Sequence, residues 1–114
     1  MGKKPAEDQV VRFADMFSAI GTEARLRILR LLLTAHPQGL TVGEIGTELG
    51  IPGSTLSHHL EKLRNEDLVK VKREGTFQRY TANSAVLEDL LGFLYAECCT
   101  RSKAIPPEKL FKTC

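Results

Sequence analysis

The sequence predicts a mainly α protein carrying one small β-hairpin. Three observations predict it. Apolar residues recur at helical spacing through four stretches before Asn65. After Asp67 the pattern changes to alternation of apolar and basic residues, the period of a strand. A last apolar stretch of helical period follows Asn83. With 114 residues, 42% hydrophobic and 26% charged, the chain has the size and composition of one globular domain with a short tail. We divide it at 102, giving a folded domain over 1–102 and a tail over 103–114. No run approaches the ~18 apolar residues of a membrane span. The polar start, Met1 to Asp8, lacks a signal peptide's apolar segment, so a cytoplasmic protein is expected.

The elements follow in order. From Asp8 to Ile20, Val10 or Val11, Phe13 or Ala14, Phe17 and Ile20 define an amphipathic helix that Gly21 stops. Thr22 stands at the N-cap of a second helix, with Glu23 in its first turn and Ile28, Leu29 and Leu31 to Leu33 as its apolar residues. His36-Pro37-Gln38-Gly39 breaks that helix. Thr41 and Glu44 have capping-box spacing and open a short third helix with Val42, Ile45 and Leu49, closed by Gly50. A fourth helix runs from about Ser54 to Asn65 with Leu56, Leu60 and Leu63 inward. Two helices joined by a short Gly-containing turn make a helix-turn-helix. Strands over Leu68–Arg73 and Thr76–Thr81 then flank an expected two-residue loop, Glu74-Gly75. Asn83 or Ser84 caps a last helix, expected to continue to Cys98.

This order is that of a winged helix-turn-helix, a fold that places its second motif helix in the major groove of DNA. The fourth helix offers Ser54, Thr55, Ser57, His58, Glu61, Lys62 and Arg64 on its exposed side, with His59 at the edge. Short hydroxyl side chains suit base edges, and a helix N-terminus suits a phosphate. The hairpin carries Lys70, Lys72, Arg73 and Arg79, opposed locally by Glu74. We expect Lys72, Arg73, Gln78 and Arg79 to touch DNA, the basic ones through phosphates that position the protein without reading sequence. The net charge of +2 neither requires nor opposes this, since only the distribution matters. The last helix is apolar on too many sides for one partner. A homodimer through the first and last helices is therefore expected, with two recognition helices about 34–36 Å apart on double-stranded operator DNA.

The run Ser18-Ala19-Ile20-Gly21-Thr22-Glu23-Ala24-Arg25-Leu26-Arg27-Ile28-Leu29 resembles the second-helix signature of the ArsR/SmtB family of winged-helix repressors. Ser54 to Arg64 resembles that family's recognition helix, and Lys72-Arg73-Glu74-Gly75 its wing. The resemblance covers roughly residues 10 to 95. One departure is Pro52, where the family usually has a small polar cap. The resemblance implies a homodimeric repressor that leaves its operator when a metal or metalloid binds.

The family's sites match unequally. Thr41 and Gly43 occupy the positions of the Cys-x-Cys of one arsenic-sensing arrangement, and no His follows Asp89 to complete a zinc site on the last helix. Cys98, Cys99 and Cys114 remain, and they resemble the variant arsenic sensors with a C-terminal cysteine site. Three thiolates without His or carboxylate suit trivalent arsenic or antimony better than tetrahedral zinc. Adjacent cysteines in a regular helix point about 100° apart, so both reach one ion only where the helix frays. No permanent cofactor is expected; arsenite or antimonite would be the inducer. The alternative is a repressor of the same body whose cysteines respond to oxidants or electrophiles. An enzyme is not expected, since Cys-x-x-Cys, a P-loop and a nucleophile elbow are all missing from the sequence.

Overall fold

The computed structural model describes residues 5–101. Its elements are α1 (Pro5–Ile20), α2 (Glu23–Thr34), β1 (Leu40–Thr41), α3 (Val42–Leu49), α4 (Gly53–Asn65), β2 (Val69–Glu74), β3 (Phe77–Ala82) and α5 (Ser84–Tyr95). The chain divides into two compact units, one ending at Ser84 and one beginning at Ala85.

In the first unit, helical period and capping chemistry act together. Thr22 caps α2 by accepting from the Arg25 N–H, and Ile28, Leu29 and Leu32 turn inward. The capping box of α3 is complete: Thr41 Oγ1 accepts from Glu44 N at 3.2 Å, and Glu44 Oε1 accepts from Thr41 N at 2.8 Å. Gly50 ends that helix in the left-handed conformation. Along α4, Leu56, Leu60 and Leu63 are fully buried, and each contributes about 1.5–3 kcal/mol relative to an exposed leucine. These leucines fix which side of α4 faces water.

Four expectations need correction. α1 turns Phe13 and Met16 inward, and leaves Val10, Val11 and Phe17 exposed; the inward stripe is rotated from the one built on Phe17. α4 begins at Gly53, one residue earlier than expected, because the Pro52 carbonyl already accepts from Leu56 N at 2.8 Å. The hairpin loop is Gly75-Thr76, not Glu74-Gly75, with Glu74 paired to Phe77. Gly75 has φ +62°, and a two-residue hairpin with a positive φ only at its first position needs glycine to lead the loop. Finally, α5 ends at Tyr95, so Cys98 lies beyond it.

The sheet has a third strand that no periodicity announced. Its order is β1-β3-β2, all antiparallel, with Leu40 opposite Tyr80 and Thr41 opposite Arg79. β1 comes so close that a Cβ on Gly39 would lie 2.3 Å from the Tyr80 carbonyl oxygen. Only glycine fits there. On β2, Val69 is buried and Val71 half-buried while Lys70 and Lys72 are exposed. One sheet face therefore packs on the helices, and the other carries lysines.

The second unit is α5 followed by turns through Arg101. Leu91, Leu94 and Tyr95 are exposed along α5. Among the described residues no helix is long and apolar enough to cross a membrane.

Candidate nucleic-acid interface

The α4 surface takes its chemistry from its start. No side chain caps Pro52, and no acidic residue sits in the first turn, so the positive end of the helix faces water without a competing carboxylate. Ser54, Thr55, Ser57, His58, Lys62 and Arg64 are all exposed, as the leucine stripe requires. His59 differs. It is half-buried, and its Nδ1 lies 3.2 Å from Nη1 of Arg25 on α2. Burial lowers the His59 pKa first, and the Arg25 and His58 charges lower it further.

The hairpin meets α4 across a cleft of about 310 Å³ lined by Val42, Ser57, Leu60, Glu61, Arg64, Val71, Gln78 and Tyr80. Ser57 and Arg64 of α4 thus share one concave surface with Gln78 of β3. Arg73 pairs with Gln78 in the ladder and is exposed on the same strand face as Val71. The groups best placed to follow a duplex from α4 to the wing are therefore Arg64, Arg73 and Gln78.

The other bases of the hairpin occupy the opposite face. Lys70, Lys72 and Arg79 line a broader hollow of about 740 Å³ with Pro37, Gln38, Glu74 and Thr81. Arg79 is only 30% exposed in its side chain and is held on several sides. Its Nε donates to Glu74 Oε1 at 2.9 Å, its Nη1 donates to the Gly39 carbonyl at 3.2 Å, and Glu44 Oε1 stands 4.0 Å away. The bond to Glu74 raises its pKa. Arg79 thus links the capping box of α3, the start of β1 and the wing. The sequence presented it as one more phosphate-seeking cation, because nothing local shows that Glu74, Gly39 and Glu44 converge on it. Arg25 was missed for the same reason.

In the second unit, the backbone after Tyr95 forms turns: Cys98 N donates to the Tyr95 carbonyl at 2.8 Å, and Thr100 N to Glu97 at 3.2 Å. Cys99 adopts a positive φ of +62°, uncommon for a side chain other than Gly, Asn or Asp. The Sγ atoms of Cys98 and Cys99 are 3.3 Å apart, closer than the divergence of a regular helix allows. The hydrogen bond with Cys99, together with burial, raises the Cys98 pKa, so Cys98 keeps its proton at neutral pH. Cys114 lies outside the described residues. Among the described residues, no group of three or more His, Cys, Asp or Glu side chains is assembled to hold a metal ion.

Known proteins share this architecture. A profile of helix-turn-helix domains matches residues 20–72. The transcriptional repressor SdpR of Bacillus subtilis is 31% identical over 80 residues, covering 70% of this chain and 86% of the relative. The transcriptional activator HlyU of Vibrio cholerae is 30% identical over 99 residues, covering 87% and 89%. The solved structure of that protein superposes with a TM-score of 0.66 over 82% of this chain and 98% of its own. A homodimeric winged helix-turn-helix DNA-binding domain from Mycobacterium bovis, described as a possible ArsR-family regulator, has a TM-score of 0.65 at 26% identity, covering 92% and 93%. With the fold, the motif residues and these relatives in agreement, the chain belongs to the ArsR/SmtB family of winged-helix DNA-binding transcriptional regulators.

Proposed function

We propose that this protein is a homodimeric repressor that releases its operator when trivalent arsenic or antimony binds Cys98, Cys99 and Cys114. The observation that carries the inducer reading is the 3.3 Å approach of the Cys98 and Cys99 sulfurs just past α5. Two thiols so placed offer a chelating pair to a thiophilic centre, and Cys114 supplies the third bond. Arsenous acid and three thiols balance as three As–S bonds and three waters, so the protons retained by the raised thiol leave with hydroxide. Binding at the end of α5 would then alter the pairing of the two copies. By reciprocity the inducer weakens DNA binding by the factor that DNA weakens inducer binding.

The dimer reading is supported by exposed apolar side chains on α1 (Val10, Val11, Phe17) and, separately, on α5 (Leu91, Leu94, Tyr95). DNA contact is assigned to Ser54, Thr55, Ser57, His58, Lys62 and Arg64 of α4, and to Arg73 and Gln78 of the hairpin. Repression is part of the proposal, since one relative is a repressor and another an activator.

The same sulfur pair also suits the second reading, oxidation of the thiols as the releasing signal. One experiment separates the two. A duplex selected by the purified protein is challenged with arsenite, antimonite and hydrogen peroxide, under a non-thiol reductant for the metalloids. The expected result is release by the metalloids in wild type and no release in Cys98→Ser or Cys99→Ser, which still bind the duplex. Release by peroxide alone favours the redox reading; arsenite release from both variants refutes the site.

A further inference from the structure

We infer that Arg25 is a positioning residue for the recognition helix, acting through His59, and that proton uptake by His59 in mild acid loosens the hold on DNA. The inference rests on the DNA-binding reading above and adds a control to it. Arg25 sits in the first turn of α2, and its guanidinium reaches two other elements. Nε donates to the Ala19 carbonyl near the end of α1, and Nη1 meets His59 Nδ1 at 3.2 Å in the middle of α4. One side chain thus ties the α1–α2 corner to the helix that carries the candidate base contacts.

The chemistry of the contact fixes the state of the ring. A guanidinium only donates and does not lose its proton in proteins, so Nδ1 must accept and the ring proton must sit on Nε2. A proton added at Nδ1 would set donor against donor and two cations 3.2 Å apart. The contact is therefore specific to the neutral ring. Arg25 on α2 and His58 on α4 itself are the charged or titratable groups that act on His59. Asp15 of α1, Lys62 of α4 and Glu66 just past the end of α4 stand with Arg25 around an adjoining cleft of about 240 Å³. The charges that act on His59 are both positive. Burial acts in the same direction.

The sign follows. If the DNA-bound form requires neutral His59, acid must strip affinity below the His59 pKa, approaching about tenfold per pH unit per protomer. His58 is exposed, with its ring centroid 6.2 Å from that of His59, so it is replaced in the test to leave His59 as the ring being read.

The test has two arms. In the first, imidazole nitrogen NMR of the free protein follows His59 with pH. The expected result is the Nε2–H form titrating below the ordinary 6.5, moving upward in Arg25→Gln, which removes the charge. In the second, duplex affinity is measured from pH 7.5 to 5.5 at constant ionic strength in a His58→Gln background. A loss that steepens toward about tenfold per pH unit per protomer below the His59 titration found in the first arm is expected there, and a flat profile in His58→Gln/His59→Gln. Circular dichroism checks that each variant is folded. An Nδ1–H ring, a titration unmoved by Arg25→Gln, or an acid loss that survives His59→Gln overturns the inference. A protein that binds no duplex at any pH refutes the DNA reading itself, while the NMR arm still decides whether Arg25 fixes His59.

Discussion

Gly39→Ala should destabilise the protein by about 3–5 kcal/mol, far more than an added methyl group would suggest. Gly39 holds φ +82°, which costs an L-residue about 1–2 kcal/mol before any contact is considered. The new Cβ would stand 2.3 Å from the Tyr80 carbonyl oxygen, 2.5 Å from Thr81 Cγ2 and 3.1 Å from the Tyr80 carbonyl carbon. Backbone on β3 cannot swing aside as a flexible side chain would. Relief requires β1 to leave β3, losing ladder hydrogen bonds of about 0.5–1.5 kcal/mol each and the Arg79 bond to the Gly39 carbonyl. Gly75→Ala is the control, because φ is +62° there but nothing lies within 4 Å of the new Cβ. It should cost only the conformational part, about 1–2 kcal/mol. Equilibrium urea unfolding at one protomer concentration measures both, since the stability of the proposed dimer would depend on concentration. If the two variants fall within about 1 kcal/mol of each other, the close approach of β1 to β3 is not what anchors the hairpin.

Four further outcomes are expected. Thr41→Ala should cost about 1 kcal/mol by removing half of the α3 capping box, read by the same unfolding assay. The Thr41 N–H bond, the largest cause, holds the Glu44 carboxyl below its ordinary 4.5. That contribution is therefore present above pH 4.5 and lost as pH falls through the lowered value, and Glu44→Gln should flatten this part of the acid profile. Arg73→Ala should weaken binding to every duplex and reduce the salt slope by about one per protomer, measured by fluorescence anisotropy across salt concentrations. Arg79→Ala should leave that slope nearly unchanged and lower stability instead, since it cuts the bonds to Glu74 and Gly39. An equal flattening by both would show that Arg79 faces the phosphates after all.

The helices were legible because their causes are local. Thr22, the Thr41–Glu44 pair, Gly50 and the leucines of α4 act within one or two turns of where they stand, so spacing alone locates them. The exposed side of α4 followed from the same leucines. Strand alternation likewise revealed the hairpin, though not its turn, which depended on which residue carried the positive φ.

What only the tertiary structure decided lies between elements distant in sequence. β1 is two residues long and carries no period of its own; it exists because Gly39 lets the chain approach Tyr80. His59 and Arg79 read as members of charged or polar runs, yet each is claimed by a partner at a separation of 34 or 40 residues, Arg25 in one case and Gly39 in the other. The cysteine pair was visible as letters, whereas its closeness required α5 to stop at Tyr95. Periodicity and capping are short-range physics and are written along the chain. A hydrogen bond to a guanidinium from across the fold is not, because its geometry exists only after the core has closed.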